Sequence, residues 1–248
     1  MLVTANTSAA LHDDPGVRRW TAPRGGAWLV AVVAVLVAVV IMAAVKLDRG
    51  EAPSALSTSG SGVSVTDHRE AGPFTIVELA GANTVVIHVG APRSVAVTGD
   101  DNLVPRVTTV VQDDRLVIDN TGSFTTNVDM SVTVSVPSLE SVELGGAGTV
   151  TVDGIAGDDF SAELTGDGTL VVSGTVERLT AVLAGAGTLD LHGLVAADGS
   201  VQLEGTGTIR VHATSTLDAT LAGTGTILYR GDPTVTMRHT GTGTVVPE

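Results

Sequence analysis

The chain contains no cysteine among its 248 residues, so no disulfide can hold its fold together. Basic residues are also few: 13 lysines and arginines stand against 27 aspartates and glutamates, which gives a net charge of −14. A surface this acidic repels nucleic acid and anionic lipid, so nucleic acid is excluded as a partner. After residue 45 the sequence lacks a long amphipathic helical pattern, and alternating apolar residues predict β-strands instead.

The most informative pattern is a tetrad, Gly-x-Gly-Thr, which occurs six times in the C-terminal half. The copies begin at Gly146, Gly166, Gly185, Gly205, Gly223 and Gly241. Successive intervals are 20, 19, 20, 18 and 18 residues. A fixed period of this length indicates stacked structural units.

Apolar residues around the tetrads all share one parity, which predicts strands with one buried face. In the second copy they are Leu164, Leu170 and Val172, and equivalent residues recur in the other copies, except that His239 interrupts the leucine column. One such strand cannot bury its apolar face alone, but stacked copies can. The pattern therefore predicts an all-β fold, a parallel β-helix with rungs of 18–20 residues.

The tetrad residues have their own predicted roles. The glycines mark either a corner with positive φ or a narrow waist where no Cβ fits. The threonines are predicted to point outward in a ladder. A phosphate-binding glycine loop would need a strand before it and a helix after it, and this context is missing.

An apolar segment at residues 27–45 is long enough for a transmembrane helix, and it is longer than the core of a cleaved signal peptide. Three arginines precede it (Arg18, Arg19 and Arg24), whereas Lys46 and Arg49 follow it. The flanking charges predict a cytoplasmic tail at residues 1–26 and a C-terminal part outside the cytoplasm, in the cell membrane. Residues 46–63 are predicted to be a Ser/Gly-rich linker, and residues 64–248 one β domain whose less regular first half covers the first rung.

Two segments before the tetrads carry a family resemblance. The run Gly99-Asp100-Asp101-Asn102-Leu103 and the step Val136-Pro137-Ser138-Leu139 precede the first Gly-x-Gly at Gly146. In this order, over about residues 74–248, the chain resembles the bacterial head GIN domain family of auto-transporter adhesin heads. The resemblance implies a right-handed β-helix with a surface or adhesive role and no catalytic residues. No C-terminal outer-membrane barrel is expected, so a single membrane anchor would replace it.

A polar group on two neighbouring rungs is the first candidate site. Asp190 aligns with Arg210, and His192 aligns with His212, so the four side chains are predicted within one rung spacing of about 4.8 Å. They could form a weak metal or pH-sensing site. The alternative is an exposed ion pair beside two solvated imidazoles, because two histidines without a third ligand bind zinc poorly.

Paired acids are the second candidate. They occur at Asp100-Asp101, Asp113-Asp114 and Asp158-Asp159. Clustered carboxylates serve carbohydrate-active enzymes and calcium sites. Turns also favour Asp for its hydrogen bonds to the backbone, and neighbouring acids in a turn point apart.

The last three tetrads form a third candidate, a two-column threonine array. The columns contain Thr206 and Thr208, Thr224 and Thr226, and Thr242 and Thr244. Such an array is typical of ice-binding β-helices, but threonine is also a good strand former.

Taken together, these patterns predict a membrane-anchored extracytoplasmic β-helix with a role in adhesion or cell-envelope interaction. We expect no enzyme activity, and no catalytic, cofactor-binding or metal-binding residues are assigned. The expected partners are the membrane, through residues 27–45, and a cell-wall or glycan ligand. Weak self-association is expected through an uncapped last rung after Gly241. The alternative is a carbohydrate-active enzyme or glycan-binding protein on the same scaffold.

Overall fold

A computed structural model of the chain describes residues 57–248. The predicted tail at 1–26, the transmembrane segment at 27–45 and residues 46–56 of the linker lie outside the described residues. Within the described part, no helix has the length and apolar character needed to cross a membrane.

Residues 57–248 form seventeen strands and one 3-10 turn at Val104–Arg106. The strands are β1 (Thr58–Ser59), β2 (Ser64–Arg69), β3 (Ile76–Leu79), β4 (Thr84–Val89), β5 (Ser94–Asp100), β6 (Val107–Gln112), β7 (Arg115–Asn120), β8 (Phe124–Thr125), β9 (Ser131–Val136), β10 (Ser141–Leu144), β11 (Thr149–Gly166), β12 (Thr169–Gly185), β13 (Thr188–Gly205), β14 (Thr208–Gly223), β15 (Thr226–Arg230), β16 (Thr234–Gly241) and β17 (Thr244–Pro247).

From β10 onward, each rung pairs in parallel with the next. The register places equivalent residues side by side: Leu183 beside Leu203, and Thr188 beside Thr208. The result is a β-solenoid of about five turns, which confirms the predicted all-β stack of rungs. Strands β11 to β14 are long because each continues around a bend, where the pairing register shifts.

The first half of the described chain extends this stack in a different order. Strands β3 and β4 form the rung that pairs with β10 and β11, and β7 and β9 form the rung beyond it. Three antiparallel strands then close this end: β6 on β7, β5 on β9, and β2 on β5. Parallel rungs therefore end in antiparallel hairpins, which cover the first rungs of the stack.

The core is the apolar interior of the solenoid. Leu164, Leu183 and Leu189 are fully buried, as the parity of the sequence predicts. Each such side chain contributes about 1.5–3 kcal/mol by leaving water. The tetrad threonines are exposed or half-buried, and His239 is exposed in the last rung.

Both predicted reasons for glycine hold, but at different positions of the tetrad. The first glycine takes a positive φ in every tetrad after the first, as at Gly185 (φ 143°), where a Cβ would also collide with the carbonyl oxygen of Gly166. The second glycine lines the waist: a Cβ on Gly187 would lie 2.5 Å from the Gly168 oxygen and 2.6 Å from a methyl of Leu164. Where one tetrad stacks on another, the rungs can therefore pack at this corner only if both positions lack a side chain.

One further rung has a degenerate tetrad, which the Gly-x-Gly-Thr pattern does not match. Register places Leu79 beside Leu144 and Thr84 beside Thr149, so Gly81-Ala82-Asn83-Thr84 occupies the position of Gly-x-Gly-Thr. Asn83 replaces the second glycine and is 5% exposed. Its Nδ2 donates a hydrogen bond of 2.8 Å to Oδ1 of Asn120, in the next rung of the cap.

Candidate functional site

The polar group predicted on neighbouring rungs forms in part. Asp190 of β13 lies beside Arg210 of β14, and Arg210 Nη1 is 3.5 Å from Asp190 Oδ2. This pairing confirms the predicted alignment. Arg210 is 43% exposed, so the ion pair is screened by solvent and adds little stability.

The predicted pairing of His192 with His212 is wrong. The register shifts after Leu191 because β13 contains additional residues before its next paired position, and His212 lies beside Val195. His192 Nδ1 instead lies 2.9 Å from Glu248 Oε2, and His192 Nε2 lies 2.8 Å from Arg230 Nη1. Because arginine only donates, Nε2 accepts and Nδ1 carries the hydrogen that Glu248 accepts.

The His192 imidazole thus bridges a cation and an anion, and both of its nitrogens are engaged, so neither is free for a metal ion. Across residues 57–248, no three His, Cys, Asp or Glu side chains are grouped so that they could hold a metal ion. The cluster therefore acts as a link between the last rungs, from β13 to the end of β17.

Asp100 of the first acid pair is a buried structural group. Its carboxylate accepts hydrogen bonds from the backbone N–H of Gly62 (2.7 Å), Asn127 (2.9 Å) and Val128 (3.2 Å). Burial raises the pKa of Asp100, but these hydrogen bonds outweigh burial and hold the pKa below its usual value. Asp101 is exposed. Asp100 therefore fastens the segment before β2 and the loop before β9 to the cap.

The other acid pairs also have structural roles. Asp113 and Asp114 adopt φ of 51° and 61° in the tight turn between β6 and β7, as the turn interpretation predicts. Asp158-Asp159 was expected in a turn but lies within β11. Arg178 on the next rung forms two hydrogen bonds, of 2.5 and 2.8 Å, with the Asp159 carboxylate, whose pKa they lower.

A carboxylate column was missed from the sequence. Glu78, Glu143 and Glu163 lie side by side on three successive rungs. Arg115 donates to Glu78 at 3.2 Å and also to Glu143. The sequence signal for this column is a Glu-Leu step before each of these corners, at residues 78–79, 143–144 and 163–164. The parity of the apolar residues singles out the leucines and not the glutamates beside them.

Glu163 is the unusual member of this column. Burial, and next the charge of Glu143, raise the pKa of Glu163 to about 7, although Arg115 opposes the shift. Its Oε1 atom is buried without a hydrogen-bond partner. A proton on Glu163 is therefore favoured up to neutral pH.

The threonine array is present on the last rungs. Thr206, Thr224 and Thr242 are exposed, and Thr226 lies beside Thr244 in register. The backbone N–H of each exposed threonine bonds to a glycine oxygen of the preceding rung, which repeats the same geometry. The hydroxyl groups are thus held at regular spacing on a backbone fixed by the glycine corners.

Comparison with known families gives a match over almost two thirds of the chain. A model of the family described as "putative auto-transporter adhesin, head GIN domain" matches residues 73–233. The matched region includes the segment 99–103 and the first five tetrads, and it confirms the resemblance found in the motifs. No match was found among curated proteins.

Two solved structures have a similar fold. A putative adhesin from Bacteroides fragilis superposes with a TM-score of 0.64 and 21% identity, covering 77% of this chain and 100% of that one. A putative adhesin from Parabacteroides merdae gives a TM-score of 0.51 and 20% identity, with 78% and 100% covered. At these identities the likeness establishes the fold alone.

Proposed function

Because the chain belongs to the head GIN domain family of auto-transporter adhesins, we propose that residues 64–248 are a non-enzymatic adhesive head. The observation that carries this proposal is the stack itself, in which outward side chains recur in register, as Thr188 does beside Thr208. Such a face presents one chemical group about every 4.8 Å. A surface of this kind suits an equally repetitive polymer, and a cell-wall or other glycan is the proposed ligand.

The positions of the acidic residues support binding rather than catalysis. The Asp100 carboxylate accepts hydrogen bonds from three backbone N–H groups, and Asp159 accepts them from Arg178. Asp114 accepts one from the hydroxyl of Thr75 at 2.7 Å. These carboxylates stabilise the fold. Each is therefore committed to a structural partner and is poorly placed to act as an acid or base on a substrate.

The proposed location is the outer face of the cell membrane. Residues 27–45 would form a single transmembrane helix, with residues 1–26 in the cytoplasm and residues 46–57 as the tether; the predicted linker ends earlier than residue 63, because β1 already pairs with β8 of the head. We take the solenoid to be right-handed, because crossovers between parallel strands have that hand in nearly all proteins. Alkaline phosphatase fused after residue 60 tests this topology and should be active. An inactive fusion, together with an active cytoplasmic reporter at the same site, would show that the head lies in the cytoplasm.

Adhesion is tested by incubating the purified full-length chain with cell-wall sacculi and with a glycan array. The wild-type chain should be retained by one of them, and retention should be lost when the core is disrupted by Leu183→Asp. Retention of this unfolded variant at the wild-type level would show that the binding is nonspecific. Failure of the wild-type chain to bind either surface would exclude the proposed ligand class.

A carbohydrate-active enzyme is the second candidate, and the carboxylate column is the observation that favours it. Glu163, with its pKa raised to about 7, stands beside Glu143, and a carboxyl group that stays protonated near neutral pH beside a second carboxyl group is the arrangement that cleaves glycosidic bonds. Incubation with cell-wall polysaccharide should then release reducing ends, and Glu163→Gln should abolish the release. No release by the wild-type chain would leave adhesion as the function.

A further inference from the structure

A small crevice lies where β2 leaves and β5 enters the antiparallel cap, with Arg69 beside Val95 in register. Its volume is about 180 Å³, smaller than the usual drug-sized pocket and suited to a single ring-sized group. Two arginines line it, Arg69 and Arg93, together with Glu70 and Ser94. This crevice takes no part in the acid pairs, the threonine array or the carboxylate column.

Arg93 is one of three arginines of residues 57–248 that form no ion pair; of the other two, Arg106 donates to the Thr121 oxygen and Arg230 lies beside His192. Five others form ion pairs with carboxylates: Arg69, Arg115, Arg178, Arg210 and Arg238. Within residues 57–248, no carboxylate pairs with Arg93, which is exposed. Its guanidinium carbon lies 5.5 Å from the ring centre of the buried Phe74. The ring supports one face of the guanidinium, so the N–H groups at its edge stay available to a ligand.

Arg69 forms a fixed wall of the crevice. Its guanidinium donates to the Val104 oxygen at 2.9 Å, to the Val107 oxygen at 2.5 Å and to Asp67 at 3.1 Å. The side chain is 17% exposed. Arg69 is therefore held in place with its charge balanced by Asp67, and Arg93 is the residue free to contact an anion directly.

Glu70 narrows the class of ligand. A carboxylate in the wall repels a multiply charged anion such as phosphate, but it accepts hydrogen bonds from hydroxyl groups. The Ser94 hydroxyl can donate or accept beside it. A ligand that matches the crevice therefore has one carboxylate, which binds the two N–H groups of Arg93, and neighbouring hydroxyl groups, which bind Glu70 and Ser94.

We propose that this crevice binds the carboxylate-bearing sugar of an acidic glycan, with Arg93 holding the carboxylate and Glu70 and Ser94 the ring hydroxyls. The proposal rests on the proposed adhesive function and gives it a ligand class. It also places one recognition site in the cap, at the end of β2 away from the entering segment, in addition to the repeating face of the rungs.

Calorimetry on the purified full-length chain tests the site with three probes: galacturonate, galactose and inorganic phosphate. Galacturonate should bind saturably, and galactose and phosphate at least about tenfold more weakly, because each lacks part of the match. Arg93→Gln should lower the affinity for galacturonate at least about tenfold, and Arg93→Lys should lower it less. Arg178→Gln, which removes an exposed arginine of the rungs, is the matched control and should bind as the wild type does.

Three results would overturn the proposal: no binding of galacturonate, equal binding by Arg93→Gln with its fold verified by circular dichroism, or equal binding of all three probes. Glu70→Gln tests the ligand class, because it should raise the affinity for phosphate relative to the affinity for galacturonate. An unchanged ratio of the two affinities would contradict a sugar acid as the ligand. Sacculus retention without galacturonate binding would refute this site and leave adhesion intact. Galacturonate binding without retention by sacculi or glycans would support this site and refute the proposed adhesive function.

Discussion

The rungs from Gly146 onward and the two rungs formed by residues 76–136 share one solenoid but achieve their stacking differently. In the first region each rung follows its neighbour in sequence, and the corner is packed glycine on glycine, as Gly187 is on Gly168. In the second, the corner is joined by the hydrogen bond from Asn83 to Asn120, between segments far apart in the chain. Stacking therefore requires a matched corner, and either close backbone contact or a side-chain bond can supply it.

The largest effect is expected in the regular region, from a charge in its core. Leu183 is fully buried between leucines of adjacent rungs, so Leu183→Asp places a carboxylate where no partner exists. We expect a loss of roughly 4 kcal/mol or more in the free energy of unfolding, measured by denaturant titration. Thr188→Ser, on the outward side of the next strand, is the control and should cost less than about 1 kcal/mol. Equal losses would mean that inward and outward parity are misassigned.

The glycine corner should be nearly as sensitive. Gly185→Val introduces a branched side chain at φ 143°, and its Cβ would meet the carbonyl oxygen of Gly166. A loss of about 3 kcal/mol or more is expected in the same titration. The matched variant is Gly157→Val, at a position where a Cβ meets no atom within 4 Å. If both substitutions cost the same, close stacking is not the reason for the tetrad.

The irregular region should fail first at low pH. Asp100 has a lowered pKa in the fold, so its stabilising effect is complete above the ordinary pKa of aspartate, 3.8, and is lost as pH falls through the lower folded value. Asp100→Asn should loosen residues 60–62 and 127–128, seen as faster amide hydrogen exchange, while exchange in β12 and β13 stays slow. Asp167→Asn, at an exposed aspartate of the rungs, is the control and should change neither. Uniform acceleration throughout would show that the cap and the rungs unfold together.

At the junction of the two regions, Glu163 predicts the opposite pH dependence. Its folded pKa of about 7 lies above the ordinary 4.5, so stability is full at low pH and falls as pH rises through about 7. Glu163→Gln should therefore stabilise the head at pH 8 by about 1–2 kcal/mol, after allowance for solvent screening, and change little at pH 4. Denaturation at both pH values measures the difference, with the exposed Glu140→Gln as control. A stabilisation independent of pH would rule out titration of Glu163 as its cause.

The smallest effect concerns the last rung, which contrasts with the closed end. β17 pairs with β15, and no strand of residues 57–248 pairs with its other edge. Pro247 lacks an N–H on this short strand, which weakens any pairing there. Light scattering should detect at most weak self-association, removed by Val245→Lys. A tight dimer that persists in this variant would place the association elsewhere.

The two regions differ in how much of their structure the sequence predicts. For the tetrad rungs, the inward leucines, the outward threonines and the two reasons for glycine followed from spacing and parity. The order of the capping strands did not, because β3 lies between β10 and β7, and such distant pairing leaves no local pattern. The same limit hid the carboxylate column and misaligned His212, since a bend in β13 shifts the register after Leu191.

The sequence by itself determined the repeating unit: a strand with one apolar face, closed in the six tetrad rungs by a corner of two glycines. This was possible because residues one period apart become neighbours when units stack, so a linear pattern becomes a column. The tertiary structure alone decided which strands cap the stack, where Asp100 fastens the entering segment, and which charges share a face. Those contacts join residues with no fixed separation along the chain, and they form only when the strands have paired.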